Sequence, residues 1–246
     1  MSRPELLQAS QHGDLRVDSA KLPEINTTTR NTTVVFPEFH KIALDYPIVF
    51  TKNQETGAFS CVALFGFEED ENLFVNDEVW DTDYLPLNIV RGPFMLGTQK
   101  IDSGDNAGNL ENVLLIDVEN PSVSKNTGEL LFNDRGFPTK YMENITSVVK
   151  TLLGGIEQNT DFINHLLPLG LISPAQLNIE FTNGERREIR GIYTINTDNL
   201  SNILDSDLIA LKNKKYLEAI YAIILSFGHI QTLIDKKNKR IQLNRS

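Results

Sequence analysis

The sequence predicts an α+β protein, on three observations. β-rich runs dominate the first half of the chain, a long helical pattern follows them, and apolar helices come after a second hairpin. Strands grouped first and helices grouped later favour an α+β fold over the strict strand–helix alternation of a parallel α/β sheet. We therefore expect an antiparallel β-rich N-terminal half with hairpins, packed against a long helix and C-terminal helices.

A β-hairpin is the clearest local signal in the first half. Two β-rich runs, 47–51 and 59–65, flank a polar loop at 53–57 that ends in Gly57. Runs of this kind around a short polar loop are typical of antiparallel hairpins. Other β-rich runs predict strands at 15–17, 34–36, 72–75, 88–99, 113–118 and 129–132.

A long helix is predicted over residues 139–167. Apolar residues recur at three- and four-residue spacing, the period of one helical face; they are Tyr141, Ile145, Val148, Val149, Leu152, Leu153 and Ile156. Glycine is a poor helix former, so the pair Gly154-Gly155 is expected to weaken or kink this helix.

A second hairpin and a group of helices complete the pattern. Residues 176–182 and 185–196 alternate apolar and polar side chains around Asn183-Gly184, a favoured type I′ turn pair. After 196 the pattern is helical, with Asp198 and either Asp205 or Ser206 as expected N-caps. Residues 216–227 are apolar enough to predict a buried helix.

The predicted domain organisation is one folded unit with two short extensions. A chain of 246 residues lies near the upper limit of a single hydrophobic core. Residues 1–31 are polar and predict an N-terminal arm, 32–240 a single domain, and 241–246 a basic tail. The oligomeric state does not follow from these patterns.

Charge argues against nucleic acid as a partner. The net charge is −10 and the isoelectric point about 4.9, whereas nucleic-acid binding draws most of its affinity from lysine and arginine. The one concentration of cations is Lys236, Lys237, Lys239, Arg240 and Arg245. A solvated end to the last helix is the favoured interpretation, and a local basic patch is the alternative.

Compartment and redox chemistry follow from the N-terminal residues, the apolar runs and the cysteine count. The N-terminal residues lack the pattern of a signal peptide, and the longest apolar run, 219–227, is shorter than the ~20 residues that a membrane span needs. We therefore expect a cytoplasmic protein without a membrane span. The single cysteine, Cys61, lies in an apolar strand-like run and is expected to be a buried, inert thiol.

One motif could bind a metal. His12-Gly13-Asp14 matches the H-x-D part of an iron facial triad, which also needs a distant histidine. His40, His165 or His229 could supply it. The predicted metal ligands are His12, Asp14 and His229. A surface or capping role for His12 is the alternative, because H-x-D normally follows a barrel strand. No organic cofactor is expected, since no phosphate-binding glycine loop is present.

A second candidate site combines acids and aromatics. Eight carboxylates and no cation occupy Glu68–Glu71, Asp77, Glu78, Asp81 and Asp83. A solvated acidic loop, a Ca²⁺ site and a patch for basic peptides are all compatible with this run. Trp80, Tyr84, Phe94 and Arg91 are the predicted binding residues, since aromatic rings offer contact area. Core packing is the alternative for the rings, and a buried Arg91 would need a carboxylate or an anionic ligand.

The order of several sequence blocks resembles the bacterial SapC family over residues 10–240. The blocks are Tyr46-Pro47-Ile48-Val49-Phe50, Ala63-Leu64-Phe65-Gly66-Phe67, Glu71-Asn72-Leu73-Phe74, Trp80, Tyr84, Arg91-Gly92-Pro93-Phe94, Gly191-Ile192-Tyr193-Thr194-Ile195 and Ser226-Phe227-Gly228-His229-Ile230. The resemblance implies a link to surface-layer production or export, or to outer-membrane nutrient systems. It carries no established reaction or catalytic residues.

Two functions are therefore kept open, and whether the chain is an enzyme stays undecided. The first is a non-catalytic binding or accessory protein that handles a peptide or a protein partner. The second is a metal-dependent, iron oxygenase-like enzyme using His12, Asp14 and a distant histidine.

Overall fold

The structure, a computed structural model, describes residues 2–100 and 110–243. Of the predicted basic tail, residues 244–246, Arg245 among them, therefore lie outside the described residues. The strands are β1 Pro4–Leu6, β2 Arg16–Val17, β3 Asn31–Thr33, β4 Ile48–Lys52, β5 Phe59–Leu64, β6 Val75–Asn76, β7 Val79–Trp80, β8 Phe94–Lys100, β9 Leu110–Asp117, β10 Val123–Ser124, β11 Glu129–Leu130, β12 Ile172–Glu180 and β13 Arg186–Ile195.

Helices occupy most of the second half of the chain. They are α1 Ala9–His12, α2 Leu22–Ile25, α3 Phe39–Ile42, α4 Leu87–Val90, α5 Lys140–Leu166, α6 Thr197–Ser201, α7 Asp205–Asn213, α8 Tyr216–Ser226 and α9 His229–Leu243, with 3₁₀ turns at Ser19–Lys21 and Phe36–Glu38. The strands pair antiparallel throughout the described residues. The predicted α+β class is confirmed.

Contacts divide the chain into two compact units. Unit 1 consists of Met1–Ile25 and Leu87–Leu152, and unit 2 of Asn26–Pro86 and Leu153–Ser246. Helix α5 begins in unit 1 and ends in unit 2. The residues predicted as an arm, 1–31, contain strands β1 and β2, so they are not merely a loose extension. The predicted domain boundaries themselves stay a prediction.

Unit 1 is built on two small antiparallel sheets. In one, β9 lies between β1 and β8; in the other, β2 lies between β10 and β11. The first half of α5 contributes to the same hydrophobic core, as its apolar stripe predicts. The buried residues of this core are Val17, Phe94, Ile116, Leu131, Phe132, Met142, Ile145 and Val149.

Unit 2 is built on a five-stranded sheet in the order β12-β13-β4-β5-β3. Ile48, Val49 and Phe50 are consecutive and fully buried, so strand β4 is covered on both faces. On one side, the ring of Phe50 stacks on Phe162 of α5 at a centroid distance of 6.4 Å. Cys61 is buried in β5, and burial raises the pKa of its thiol.

Helix α8 is attached to this sheet by a buried hydroxyl. The main-chain N–H of Ile48 donates to Ser226 Oγ at 2.9 Å, and Ser226 donates to the carbonyl of Ile223 at 2.7 Å. Ser226, Ile220 and Ile223 are fully buried along one face of α8. The predicted helix at 216–227 is confirmed, but its burial is confirmed for one face only, since Tyr221 and Leu225 are exposed.

Some sequence predictions are wrong in detail. Residues 87–90 form helix α4 rather than the start of a strand, and the run 34–36 leads into a 3₁₀ turn. Helix α5 runs without interruption through Gly154-Gly155, and the expected weakening or kink stays a prediction. Asn196 caps α6 and Leu204 occupies the N-cap of α7, so Asp198 and Asp205 lie in the first turns instead.

One stretch of the described residues passes a length-and-composition test for a membrane-spanning helix. It is Tyr216–Leu243, of which a third of the apolar window is buried inside the structure. Core helices of soluble proteins pass the same test, and one face of α8 is buried. The expectation of no membrane span stays a prediction.

Candidate functional site

An apolar groove in unit 2 lies between α8 and the segment 36–42. The segment starts with the 3₁₀ turn, where Pro37 suits the first turn of a helix because it lacks an N–H. The turn is closed by Glu38, whose buried carboxylate accepts the main-chain N–H of Val35 at 3.0 Å. Helix α3 follows directly and packs alongside α8.

The groove contains a cavity of about 190 Å³. Its walls are apolar and aromatic at the base and charged at the rim. The lining residues are Phe36, Pro37, Phe39, His40, Lys215, Glu218, Ala219 and Ala222. The two alanines on α8 lie one turn apart with short side chains, and that leaves the space open.

Large apolar side chains are exposed beside the groove. Tyr221 and Leu225, one turn apart on α8, are 53% and 75% exposed, and Leu44 is 73% exposed. His229 Nε2 donates to the carbonyl of Ala43 at 3.2 Å, which holds the loop with Leu44 near the end of α8 that carries Leu225. Exposed apolar side chains next to a cavity are typical of a surface that meets another molecule.

Two of the four predicted binding residues meet around a buried tyrosine in unit 2. Trp80 Nε1 donates to Tyr46 Oη at 2.7 Å, and Tyr46 Oη donates to the carbonyl of Tyr84 at 2.7 Å. Tyr46 is fully buried and Trp80 is 8% exposed, so both rings belong to the core. Burial raises the pKa of the Tyr46 hydroxyl, which therefore stays protonated.

Tyr84 contacts the segment 36–42, which forms one wall of the groove. Its hydroxyl donates to Glu38 Oε2 at 3.0 Å, and Lys41 Nζ lies 5.4 Å from its ring centroid. Burial, then the charge of Glu38, raises the pKa of Tyr84. Sequence reasoning pointed to Trp80 and Tyr84 but missed the groove that Tyr84 helps to shape. The pair Phe36-Pro37 before a helical run was the available signal.

The other two predicted binding residues, Arg91 and Phe94, lie in unit 1. Arg91 Nε donates to Asn88 Oδ1 at 2.7 Å, and its Nη1 donates to the carbonyl of Phe94. Burial lowers the pKa of Arg91. The expected carboxylate partner is not found in the described part of the chain; neutral oxygens take that place. Phe94 is fully buried in the core of unit 1.

The structure gives the predicted metal site no support. Gln8 N donates to His12 Nδ1 at 3.2 Å, so the proton of a neutral ring is on Nε2, which faces Glu5 Oε2 at 3.2 Å. Asp14 pairs with Lys125 at 2.6 Å, and this hydrogen bond lowers the pKa of Asp14. His229 lies in the other unit. Residues 2–100 and 110–243 contain no cluster of three metal-ligating side chains.

The SapC family model matches residues 7–233 of the 246-residue chain. The chain belongs to the SapC family. The resemblance drawn from the order of the sequence blocks is thereby confirmed. No curated protein and no solved structure is similar enough to this chain to count as a match.

In this SapC family member, the predicted acidic loop is not a purely solvated surface. Within residues 68–83, the acidic segment, Glu71 is 6% exposed and accepts the N–H of Phe67 at 3.0 Å. Lys237 of α9 binds both Glu71 at 2.6 Å and Glu68 at 2.8 Å. The interpretation of this run as a solvated acidic loop is therefore wrong for Glu71.

The cations of α9 complete the attachment of the acidic segment. Lys236 Nζ reaches Asp81 at 2.5 Å, and Arg240 donates to the carbonyls of Asn72 and Val75 at 3.0 Å each. Lys236, Lys237 and Arg240 therefore bind the acidic segment within the same chain, an arrangement we call the clamp. The interpretation of this helix end as solvated is wrong at these three positions. Because these ion pairs within the chain engage three of the segment's eight carboxylates, the groove is the better candidate for binding.

Proposed function

We propose that this SapC family member is a non-catalytic binding protein that holds an apolar segment of a partner protein in the groove between α3 and α8. The observation that carries the proposal is the cavity of about 190 Å³ flanked by exposed Tyr221, Leu225 and Leu44. Both features belong to unit 2.

The size of the cavity favours a protein side chain over a metabolite. Pockets for drug-sized ligands usually measure roughly 300–1,000 Å³, and this cavity is smaller. Protein interfaces, in contrast, gain most of their energy from one or two side chains that enter a pocket at the centre. A single large apolar residue of the partner fits that role.

The surroundings of the cavity have the chemistry of an interface. Phe39 and Ala219, both buried, provide an apolar floor, while the exposed His40, Lys215 and Glu218 lie at the rim. An apolar centre with a polar rim is the usual arrangement of residues at a protein–protein contact. The partner is to be sought in the surface-layer or outer-membrane nutrient systems that the family resemblance implies.

A peptide selection tests the proposal. Random peptides displayed on phage are selected on the immobilised full chain, and enriched peptides are measured by fluorescence anisotropy. We expect them to share a large apolar or aromatic residue. Ala222→Trp should fill the cavity and weaken binding at least ten-fold, because the anchor loses its pocket.

The matched control is Lys239→Trp, which adds the same ring at an exposed position of α9 away from the groove. It should leave binding unchanged. Selection that yields no enriched peptide, or peptides that bind Ala222→Trp as tightly as the original chain, would contradict the proposal.

A further inference from the structure

Helix α7 in unit 2 presents a stripe of four residues to solvent. Asp205, Leu208, Ile209 and Lys212 line this stripe, with Ile209 56% exposed and Leu208 37% exposed. Their spacing of three and four residues places them on one face of the helix. None of the four lines the groove between α3 and α8.

This stripe leaves apolar surface without cover. The opposite face of α7 is already packed, since Leu211 is 2% exposed. A helix with apolar residues on both faces is typical of one that is buried on both. Leu204, at the N-cap of α7, adds a third large side chain that is 69% exposed. The surface therefore has the composition of a contact rather than of a solvated helix.

The order of charges along the stripe identifies the partner. Asp205 and Lys212 lie at equal distances from the point midway between Leu208 and Ile209. When a second copy of the helix is laid antiparallel across that point, each Asp205 faces a Lys212 and the apolar residues meet at the centre. Neither Asp205 nor Lys212 has an ion-pair partner elsewhere in the described chain.

We propose that two copies of this chain associate through α7, antiparallel, about a two-fold axis between Leu208 and Ile209. A two-fold interface brings the same patch of both subunits together, so the patch must be complementary to itself. The sequence acidic–apolar–apolar–basic meets that condition. A parallel pairing would instead place Asp205 against Asp205 and Lys212 against Lys212.

The length of α7 sets the strength of the association. Nine residues span about 14 Å, and stable interfaces usually bury ~1,200–2,000 Å². Two helices of this length bury less than that, so the contact belongs to the class of small, transient interfaces. The dimer is therefore reversible and forms with increasing protein concentration.

Charge exchange tests the geometry. Sedimentation velocity of the full chain over a series of concentrations should show the mass rising toward twice the 27.7 kDa of one chain. Asp205→Lys alone places lysine against lysine, and Lys212→Asp alone places aspartate against aspartate, so each variant should stay monomeric at the concentrations where the original chain pairs. An equimolar mixture of the two variants should pair again, because every contact then joins opposite charges.

Two further variants distinguish pairing through α7 from pairing through the apolar surface of α8. Leu208→Asp should abolish pairing, and Tyr221→Asp on α8 should leave it unchanged. Circular dichroism and a thermal melt confirm that each variant is folded. A chain that stays monomeric at all concentrations, or single charge variants that pair as well as the original, would overturn the proposal. So would a mixture that fails to pair. Peptide binding in the groove is measured separately and does not affect these outcomes.

Discussion

Gly155 of α5 lies against Val35 with no room for a side chain. A β-carbon built on Gly155 would be 2.5 Å from Val35 Cβ and 2.9 Å from its Cγ2. One turn later, Asn159 donates to the carbonyl of Val34 at 2.7 Å and accepts the N–H of Phe36 at 2.7 Å. The glycine therefore allows α5 to approach the segment that leads into the groove.

Gly155→Ala should destabilise the protein although alanine is the better helix former. The added methyl group would force Val35 or the helix to move, and overpacking of this kind costs about 1–3 kcal/mol. Urea unfolding measures the loss. Gly154→Ala is the matched control, since nothing lies within 4 Å of a β-carbon at that position. There the helix preference of alanine should stabilise the protein by up to about 1 kcal/mol. Equal effects of the two variants would contradict the role of Gly155.

Ser226→Ala should detach α8 from the central sheet in part. The variant leaves the buried N–H of Ile48 without its acceptor, and an unsatisfied buried donor costs about 1–3 kcal/mol. Urea unfolding again reports the change. Ser201→Ala serves as control, because its exposed hydroxyl bonds only the carbonyl of Thr197 within its own helix. A similar loss at both serines would show that the bond to Ile48 is unimportant.

The neutral ring of His12 should carry its proton on Nε2. A main-chain N–H at Nδ1 requires the lone pair of that nitrogen, and Glu5 accepts the proton on the other. Nitrogen-15 chemical shifts of the ring distinguish the two tautomers at neutral pH. Asp14→Ala, which removes the exposed pair with Lys125 and a weaker electrostatic interaction with His12, should leave the proton on Nε2. A protonated Nδ1 would contradict the structure.

Local patterns in the sequence predict those elements that depend on nearby residues. Asn183-Gly184 predicts the hairpin of β12 and β13, and the spacing of apolar residues predicts α5 within one residue at each end. The run at 88–90 fails because a short apolar stretch suits helix and strand equally. There the side chain of Arg91 donates a hydrogen bond to the carbonyl of Phe94, and this closes the turn that follows the helical residues.

The charged segments show the limit of reasoning from one sequence. Eight carboxylates in one segment and cations at Lys236, Lys237 and Arg240 are both visible, yet nothing local says that they meet. Their spacing, which places the three cations near one face of a helix, was the available signal. The groove is still harder to predict from the sequence, because its shape depends on α3 and α8, which are far apart in the chain.

Lys237→Met should be strongly destabilising. It leaves the carboxylate of Glu71, 6% exposed, without its cation. Removal of one partner of a buried ion pair typically costs about 3–5 kcal/mol. Lys239→Met is the control on the same helix, because Lys239 is exposed and forms no ion pair in the described part of the chain. Urea unfolding of both variants at neutral pH should separate them clearly. Comparable stabilities would mean that Glu71 is adequately solvated or bonded without Lys237.

The same clamp should make stability depend on pH at both ends of the range. The hydrogen bond from Lys237 lowers the pKa of Glu68 below 4.5, so its contribution is complete above that value and is lost as the pH falls through the folded pKa. Burial lowers the pKa of Lys237, but hydrogen bonds to Glu68 and Glu71 outweigh it and leave the pKa above 10.5. Its contribution is therefore complete below 10.5 and is lost as the pH rises through the folded pKa.

The difference in unfolding free energy between the original chain and Lys237→Met isolates these effects from all other groups. That difference should be constant at intermediate pH and shrink in both acid and alkali. A difference that stays constant from acid to alkali would show that the clamp has no electrostatic contribution.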